Sequence, residues 1–298
     1  MARNDDYILS FGSPADLTPE QVAQRDLHYV KYHFTLDGND HVDDLGQSLS
    51  YEDFYRALAA GSVSKTSRVT TQEYVDYFES LLAEYNKDIL HLAFSSGLSG
   101  SAESASIAAG QVTVKHPERK IYVVDSLAAS SGYGLFVLTL ADMRDEGASI
   151  DDLRDWAEQH KLELHHWFFS GDLTTYIRGG RVSKTAGFIG NVLGICPVLN
   201  VDYMGRLIPR AKVLSKKKAV KDLVGRMAEH ARDGENYSGN VMISHSNCLE
   251  DAQAVEALIR ERFPNVKNII INMIGFTIGS HAGNGTVALF FWGDKRVD

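Results

Sequence analysis

Residues 94–101 have the sequence Phe94-Ser95-Ser96-Gly97-Leu98-Ser99-Gly100-Ser101 and follow an apolar segment, Asp88 to Phe94. The apolar segment predicts a β-strand, and the small residues from about Ser101 onward predict an α-helix. A strand that enters a helix through such a loop brings hydroxyl groups, glycine backbone and a helix N-terminus together, which favours anion binding. The alternative interpretation, a flexible linker, is disfavoured by the position of the loop between a strand and a helix.

The segments around this loop alternate between strand and helix patterns. Lys120 to Asp125 predicts a buried strand, and Ala128 to Glu146 predicts a mostly buried helix. Leu27 to Leu36 predicts one further strand, whereas Ser62 to Ser67 is more typical of a polar surface loop. Helix starts are predicted where a Ser or Thr N-cap has a polar or acidic partner three residues later, at Thr18 with Gln21, Thr70 with Glu73 and Ser149 with Asp152. This order predicts a parallel α/β sheet.

The pattern changes near Leu162. Two strand-like segments flank Asp202-Tyr203-Met204-Gly205, which predicts a hairpin. A strand, a helix and a strand follow between Val241 and Ile274, and the glycine-rich segment Gly279 to Gly285 is predicted to be a loop before a last strand. We therefore expect an α/β protein of two domains, a parallel N-terminal domain at residues 1–162 and a mixed C-terminal domain at residues 163–298.

Composition excludes several classes of function. The 298 residues are 44% hydrophobic and 23% charged, with a net charge of -9, which argues against binding to nucleic acid or to an anionic membrane surface. The two cysteines do not form a disulfide framework. The polar N-terminus is unlike a signal peptide, and no apolar run approaches the roughly 20 residues of a membrane-spanning helix. These features predict a cytoplasmic protein.

Motifs for catalysis and metal binding are incomplete. Gly97-Leu98-Ser99-Gly100-Ser101 lacks the last glycine of a nucleophile elbow, and Gly132-Tyr133-Gly134 lacks the third glycine of a dinucleotide fingerprint. His165 and His166 point to opposite faces of a strand and so do not share a metal ion. We therefore predict no catalytic residue, no metal site and no cofactor.

Hydroxyl and cationic groups on the polar loops remain as candidate anion ligands. A guanidinium group binds both oxygens of a carboxylate, and hydroxyl and imidazole groups add further hydrogen-bond donors. Each also has a structural interpretation, such as an exposed arginine in a turn at Gly179-Gly180-Arg181 or a loop histidine at position 281. The candidates are Thr66, Ser67, Ser95, Ser96, Arg181 and His281.

Several blocks in the same order give the chain a resemblance to the DegV family over nearly its whole length, about residues 5–296. The blocks are Lys65-Thr66-Ser67, Ser95-Ser96-Gly97-Leu98-Ser99-Gly100, Val123-Val124-Asp125-Ser126, Gly179-Gly180-Arg181-Val182-Ser183, Leu193-Gly194-Ile195-Cys196-Pro197 and His281-Ala282-Gly283-Asn284-Gly285.

The resemblance implies a two-domain protein that holds one long-chain fatty acid, such as palmitate, between its domains and is not itself an enzyme. Members of this group act as the lipid-presenting subunit of bacterial fatty-acid kinase, so a separate kinase subunit is an expected partner, and transient membrane contact is compatible with the role. By position, Thr66 and Ser95 would bond the carboxylate, Ser96 would contribute through its backbone or hydroxyl, and Arg181 and His281 would close the polar end.

The segments that we expect to line an apolar slot are Ala102 to Gly110 together with Phe188, Ile189, Leu193 and Ile195. Each buried CH₂ group contributes roughly 0.8 kcal/mol, so a palmitoyl chain contributes on the order of 10 kcal/mol before entropic costs. The alkyl chain would therefore supply most of the affinity, and the polar groups would fix its orientation.

The chain departs from the family pattern at three places, and two other functions stay open. Ser10 to Ser13 lacks an acidic residue, Gly283-Asn284-Gly285 replaces Gly-Pro-Gly, and Lys212 to Ser215 lacks an arginine. One alternative is a Ser-dependent hydrolase of acyl substrates that uses Ser95 or Ser99 with His281. The other is an interaction module in which the lipid is structural.

Overall fold

The computed structural model of the protein describes residues 3–183 and 195–297. Within these ranges the strands are β1 (Tyr7–Gly12), β2 (His28–Val30), β3 (Tyr32–Leu36), β4 (Asn39–Asp43), β5 (Ser64–Ser67), β6 (Asp88–Ala93), β7 (Ile121–Asp125), β8 (Leu164–Phe169), β9 (Ile195–Val201), β10 (Leu207–Leu214), β11 (Asn240–His245), β12 (Asn268–Met273) and β13 (Val287–Trp292). The α-helices are α1 (Pro19–Gln24), α2 (Tyr51–Ala59), α3 (Thr71–Tyr85), α4 (Ser101–Lys115), α5 (Ser130–Asp145), α6 (Ile150–His160), α7 (Thr174–Arg178), α8 (Lys216–His230), α9 (Leu249–Arg262) and α10 (Phe276–Ala282). Short 3-10 turns occupy Ser13–Ala15, Lys161–Glu163 and Gly234–Asn236.

The N-terminal half contains a parallel sheet with the strand order β2-β1-β6-β7. The strand predicted before the Ser-rich loop (residues 94–101) is β6, and the helix predicted after it is α4, so both predictions are confirmed. The capping boxes at Thr18, Thr70 and Ser149 are also confirmed. The parallel α/β character of this half therefore follows from local sequence signals.

Two predictions in the N-terminal half are wrong. The single strand predicted at Leu27 to Leu36 is interrupted at Lys31, and β3 leaves the parallel sheet to pair with β4 and β5 in a separate antiparallel sheet. The predicted surface loop at Ser62 to Ser67 contains β5, which pairs with β3. A polar, partly exposed edge strand carries little periodicity, because only pairing with its neighbour defines it.

The C-terminal half contains a mixed sheet with the order β10-β9-β8-β13-β11-β12, in which only the β11–β12 pair is parallel among the described strands. The predicted hairpin is confirmed by the antiparallel pairing of β9 with β10. The predicted loop at Gly279 to Gly285 is wrong in its first part, because α10 extends to Ala282. A Cβ atom on Gly279 would lie 2.6 Å from Tyr55 Oη, so this glycine permits close packing within a helix.

Helix α5 joins the two halves, because it packs against strands of both sheets. A Cβ atom on Gly132 would lie 2.5 Å from His166 Nε2 and from the ring of Phe290. Gly132 therefore allows α5 to approach the C-terminal sheet. This packing requirement explains the first glycine of Gly132-Tyr133-Gly134, so nucleotide binding is not needed to explain it. The division between residues 162 and 163 stays a prediction. None of the helices in the described ranges has the length and apolar composition of a membrane-spanning helix.

Candidate functional site

A cavity of about 470 Å³ lies where the Ser-rich loop, β5 and α10 meet the C-terminal sheet. One wall is a patch of β8 and β13 that we call the sheet wall, formed by His166, Phe168, Ala288 and Phe290. The register pairs Ala288 with Phe168 and Phe290 with His166, so the four side chains share one face of the sheet. The volume falls in the range of about 300–1,000 Å³ that is usual for small-molecule sites.

At the polar end of the cavity, Thr66 and His281 contact each other. The position of Thr66 is fixed by the pairing of β5 with β3, and His281 lies in the last turn of α10. Thr66 Oγ1 lies 2.8 Å from His281 Nε2, within hydrogen-bond distance. Burial, and to a smaller extent the charge of Arg181, lowers the pKa of His281 to about 4. The imidazole is therefore neutral at pH 7 and serves as a dipolar group.

Arg181 supplies the cation at this end. Its Nη1 donates to Gly179 O, and burial lowers the pKa of its guanidinium from the usual value. Among the described residues no carboxylate pairs with Arg181. A Cβ atom on Gly179 would lie 2.2 Å from His281 Nδ1, so this glycine lets the histidine ring approach the turn. In the Gly-Gly-Arg motif, Gly179 thus leaves room for the ring of His281, and Arg181 supplies a positive charge.

The Ser-rich loop contributes Ser96 and Ser99 to the cavity lining. The backbone N–H of Ser96 donates to Asp125 Oδ1 at 3.1 Å, so only its hydroxyl is available to a ligand. That hydroxyl has no hydrogen-bond partner within the described residues. Of the two groups that were expected to contact the carboxylate, the backbone N–H is thus already engaged, and the contact of Ser96 with a ligand stays a prediction.

Ser95 does not meet the expectation of direct contact. It is fully buried beneath the loop and is absent from the cavity lining. Its Oγ donates to Gly205 O at 2.8 Å and accepts from Gly97 N at 3.2 Å. Because its single hydroxyl proton is used by the β9–β10 hairpin, Ser95 holds the loop against the hairpin in this structure.

The structure thus brings five of the six candidate residues to one cavity, namely Thr66, Ser67, Ser96, Arg181 and His281. The expected slot-lining residues are mostly elsewhere. Residues 102–110 lie in α4 and Ile195 lies in β9, and neither lines the cavity. Phe188, Ile189 and Leu193 lie outside the described residues. Arg68 also lines the cavity but was not among the candidates, although it directly follows Thr66 and Ser67 in the sequence.

The arrangement does not support the hydrolase alternative. His281 Nε2 bonds Thr66, Ser99 Oγ lies 3.0 Å from Ser101 Oγ, and Ser95 Oγ donates to Gly205 O. Within the described part of the chain, no hydrogen bond joins either serine to His281. A general base must be within hydrogen-bond reach of its nucleophile, directly or through one water.

One cluster of potential metal ligands is present on the opposite face of β8. His165 Nε2 lies 2.8 Å from Asp294 Oδ1, and His230 Nδ1 lies 3.3 Å from the same oxygen. The two imidazole rings stack with centroids 4.9 Å apart and planes 18° apart. Nearly parallel rings direct their nitrogen lone pairs side by side, so the geometry favours a hydrogen-bonded histidine stack over a metal centre.

Two buried carboxylates of the N-terminal half hold the start of α10. Asp16 Oδ1 accepts from Gly275 N at 2.9 Å, and Asp16 Oδ2 accepts from Ser130 Oγ. Asp43 Oδ2 accepts from the backbone and the hydroxyl of Thr277, at 3.1 Å and 2.6 Å. Burial raises the pKa of both carboxyls, that of Asp16 to about 8. The helix that carries His281 is therefore anchored to the opposite half of the molecule.

We expect Asp16→Asn to remove a pH dependence of stability. Because the pKa of Asp16 is about 8 in the folded protein and near 4 when unfolded, folding takes up a proton between these values. The free energy of unfolding therefore falls as the pH rises from about 4 to about 8. Asparagine keeps an oxygen for Gly275 and an N–H for Ser130 but does not titrate.

Urea unfolding at about pH 5 and about pH 8 measures this effect. The difference in the free energy of unfolding should be smaller for Asp16→Asn than for the wild type by more than about 1 kcal/mol. Asp40→Asn, at an exposed strand position, is the control and should leave the difference unchanged. Equal differences for Asp16→Asn and the wild type would contradict a protonated Asp16.

Comparisons with known proteins agree with this architecture. The family model described as "Uncharacterised protein, DegV family" matches residues 12–294. A DegV domain-containing protein of Clostridium perfringens is 37% identical over 290 residues, which cover 97% of this chain and 98% of that protein.

A Thermotoga maritima protein whose structure is described as revealing a fatty-acid-binding function is 25% identical, with a TM-score of 0.82 and coverage of 97% of this chain and 99% of that one. The Streptococcus pneumoniae fatty acid kinase B3 protein, solved loaded with linoleic acid, is similar in fold, with a TM-score of 0.82 at 23% identity and coverage of 99% of this chain and 100% of that one. The chain is a member of the DegV family.

Proposed function

We propose that this protein binds one long-chain fatty acid and holds its carboxylate at the polar end of the cavity. The observation that carries the proposal is the convergence of Thr66, Ser67, Ser96, Arg181 and His281 on a cavity whose other lining residues are mostly apolar. A ligand that fits both regions has one anionic group and a long alkyl chain. The fatty-acid-binding function described for the Thermotoga maritima relative supports the same ligand class.

Within this proposal, the charged and the neutral polar groups have different roles. Arg181 neutralises the carboxylate, and the hydroxyls of Thr66, Ser67 and Ser96 donate to its oxygens. For Thr66 to donate its only hydroxyl proton to the ligand, His281 must donate from Nε2 to Thr66 Oγ1. A neutral His281 protonated on Nε2 meets this requirement. Ser95 acts indirectly, by fixing the loop that carries Ser96.

The alkyl chain would lie against the sheet wall and the neighbouring apolar residues. The aromatic groups Phe94, Phe168 and Phe290 line the cavity together with Ala129 and Ile278. Burying the chain would supply most of the affinity, whereas the polar groups prevent the buried carboxylate from remaining unpaired. The protein would thus act as a carrier that orients its ligand, without catalytic residues of its own, and a cytoplasmic location is part of this proposal.

Identification of the co-purified lipid tests the proposal. We expect protein purified from a bacterial host to release a long-chain fatty acid on denaturation, detected by mass spectrometry at close to one molecule per chain. The double variant Thr66→Val, Arg181→Ala should carry much less. A purified wild-type protein that contains no lipid and binds none of a series of added fatty acids would contradict the proposal.

We further propose that the bound carboxylate is presented to a separate fatty-acid kinase. In that reaction a carboxylate oxygen bonds to the γ-phosphorus of ATP, the bond from that phosphorus to the β–γ bridging oxygen breaks, and ADP leaves. The carrier needs only to hold and expose the carboxylate, so this role requires no nucleophile of its own, and within the described residues no hydrogen bond joins Ser95 or Ser99 to His281. The resemblance of the sequence blocks to lipid-presenting subunits supports it.

Incubation of the palmitate-loaded protein with a purified bacterial fatty-acid kinase and ATP tests the second proposal. Formation of an acyl phosphate that requires both proteins is the expected result. Fatty-acid binding without any acyl phosphate, using a kinase that is active with its own carrier, would leave the protein as a lipid-binding module that this kinase does not recognise.

A further inference from the structure

Arg68 is a second guanidinium group at the cavity, and its position is set by β5. It follows Thr66 and Ser67 directly, and all three residues line the cavity. Arg68 is exposed, and among the described residues it has no ion pair and no hydrogen-bond partner. A Cβ atom on Gly100 would lie 2.6 Å from Arg68 Nη1, so the guanidinium extends over the residue that precedes α4.

The charges that line the cavity exceed what one carboxylate neutralises. Arg68 and Arg181 give two positive charges, and within the described chain no acidic side chain lines the cavity. His281 is neutral at pH 7 and adds no charge. A fatty-acid carboxylate carries one negative charge and leaves one guanidinium without a counter-charge. A phosphomonoester carries about 1.5 to 2 negative charges at pH 7 and matches the pair more closely.

We propose that Arg68, with the hydroxyl of Ser99, forms a second anion subsite that binds a phosphate group joined to the acyl chain in the cavity. Ser99 lines the cavity and directly precedes Gly100, the residue over which the Arg68 guanidinium extends, so a neutral donor lies beside the guanidinium. A guanidinium group donates two parallel hydrogen bonds to phosphate oxygens. This inference rests on the proposed function and assigns Arg68 to the phosphorylated form of the ligand.

Matched lipids test the inference. Palmitate carries a carboxylate, whereas hexadecyl phosphate carries a phosphate that is stable to hydrolysis on a chain of the same number of carbons. The measured quantity is the ratio of their dissociation constants, determined by calorimetry below their micellar concentrations. Because both lipids share the alkyl chain, a general loss of folding or of cavity volume changes both constants and leaves the ratio nearly unaltered.

Arg68→Gln and Lys65→Gln form a matched pair of variants. Each removes one positive charge from the same segment, but exposed Lys65 does not line the cavity. We expect Arg68→Gln to raise the dissociation constant of hexadecyl phosphate about tenfold, because only the phosphate reaches Arg68. The dissociation constant of palmitate should change less than about twofold. Lys65→Gln should change neither lipid by more than about twofold.

Other outcomes overturn the inference. Equal ratios for Arg68→Gln, Lys65→Gln and the wild type would remove Arg68 from phosphate binding. Binding of inorganic phosphate alone that depends on Arg68 would replace the lipid-phosphate subsite with a site for a free anion. A wild-type protein that binds neither palmitate nor hexadecyl phosphate would reject the proposed function itself, whereas palmitate binding with no Arg68 effect on hexadecyl phosphate rejects only the subsite.

Discussion

Arg181→Ala should weaken palmitate binding by about 30-fold or more, because removal of one partner of a buried charge pair costs roughly 2–5 kcal/mol. Among the described residues of the cavity, only Arg68 carries another positive charge, and it is exposed. We do not expect His281 to replace the lost charge, because burial, the larger cause of its lowered pKa, persists in the variant. A calorimetric titration of each protein with palmitate measures the change in dissociation constant.

Arg178→Ala is the matched control for this variant. Arg178 is the last residue of α7, is exposed and does not line the cavity, so we expect its removal to change the dissociation constant less than about twofold. Thermal unfolding of both variants without lipid separates a loss of binding from a loss of folding. Palmitate affinity that stays at the wild-type level in a folded Arg181→Ala variant would contradict the proposed carboxylate site.

Leu207→Trp should reduce palmitate binding by about 100-fold, because a larger side chain would displace several CH₂ groups worth roughly 0.8 kcal/mol each. Leu207 lines the cavity and pairs across the hairpin with Val201, another lining residue. The adjacent Ile208 lies on the other face of β10 and does not line the cavity. Both positions are partly exposed, so both should tolerate the substitution.

Ile208→Trp is therefore the control and should bind palmitate like the wild type. Shorter fatty acids add a second readout, since Leu207→Trp should retain more affinity for a short chain than for palmitate. Equal losses in the two tryptophan variants, or no loss in either, would show that the alkyl chain does not occupy this cavity.

Much of the fold could be predicted from the sequence because its signals are local. The strand and helix around the Ser-rich loop, the three capping boxes and the β9–β10 hairpin each depend on residues that are close in sequence. The predictions that were wrong concern segments whose structure depends on long-range packing. The helix at Phe276–Ala282 contains one interior glycine, Gly279, which favours a loop, yet Tyr55 and Phe54 pack against Gly279 and stabilise the helix.

The candidate site was predictable as a set of residue types but not atom by atom. Ser95 and Ser96 are adjacent hydroxyls, and only the approach of Gly205, 110 residues away, directs one inward and leaves the other for the cavity. Likewise, within the described residues no ion pair involves Arg68 and no acidic side chain lines the cavity, which depends on long-range packing and not on the sequence near Arg68. Asp16 gave no sequence signal, because its role arises from contacts with Gly275 in the opposite half.

A crystal structure of the complex with 16-bromohexadecanoic acid tests the central claim most directly, since anomalous scattering locates the bromine independently of the carboxylate. The account predicts carboxylate oxygens within about 3.2 Å of Thr66 Oγ1 and of the Arg181 guanidinium, and bromine among the apolar lining residues. Bromine at the polar end, or an acid bound outside the cavity, would contradict it.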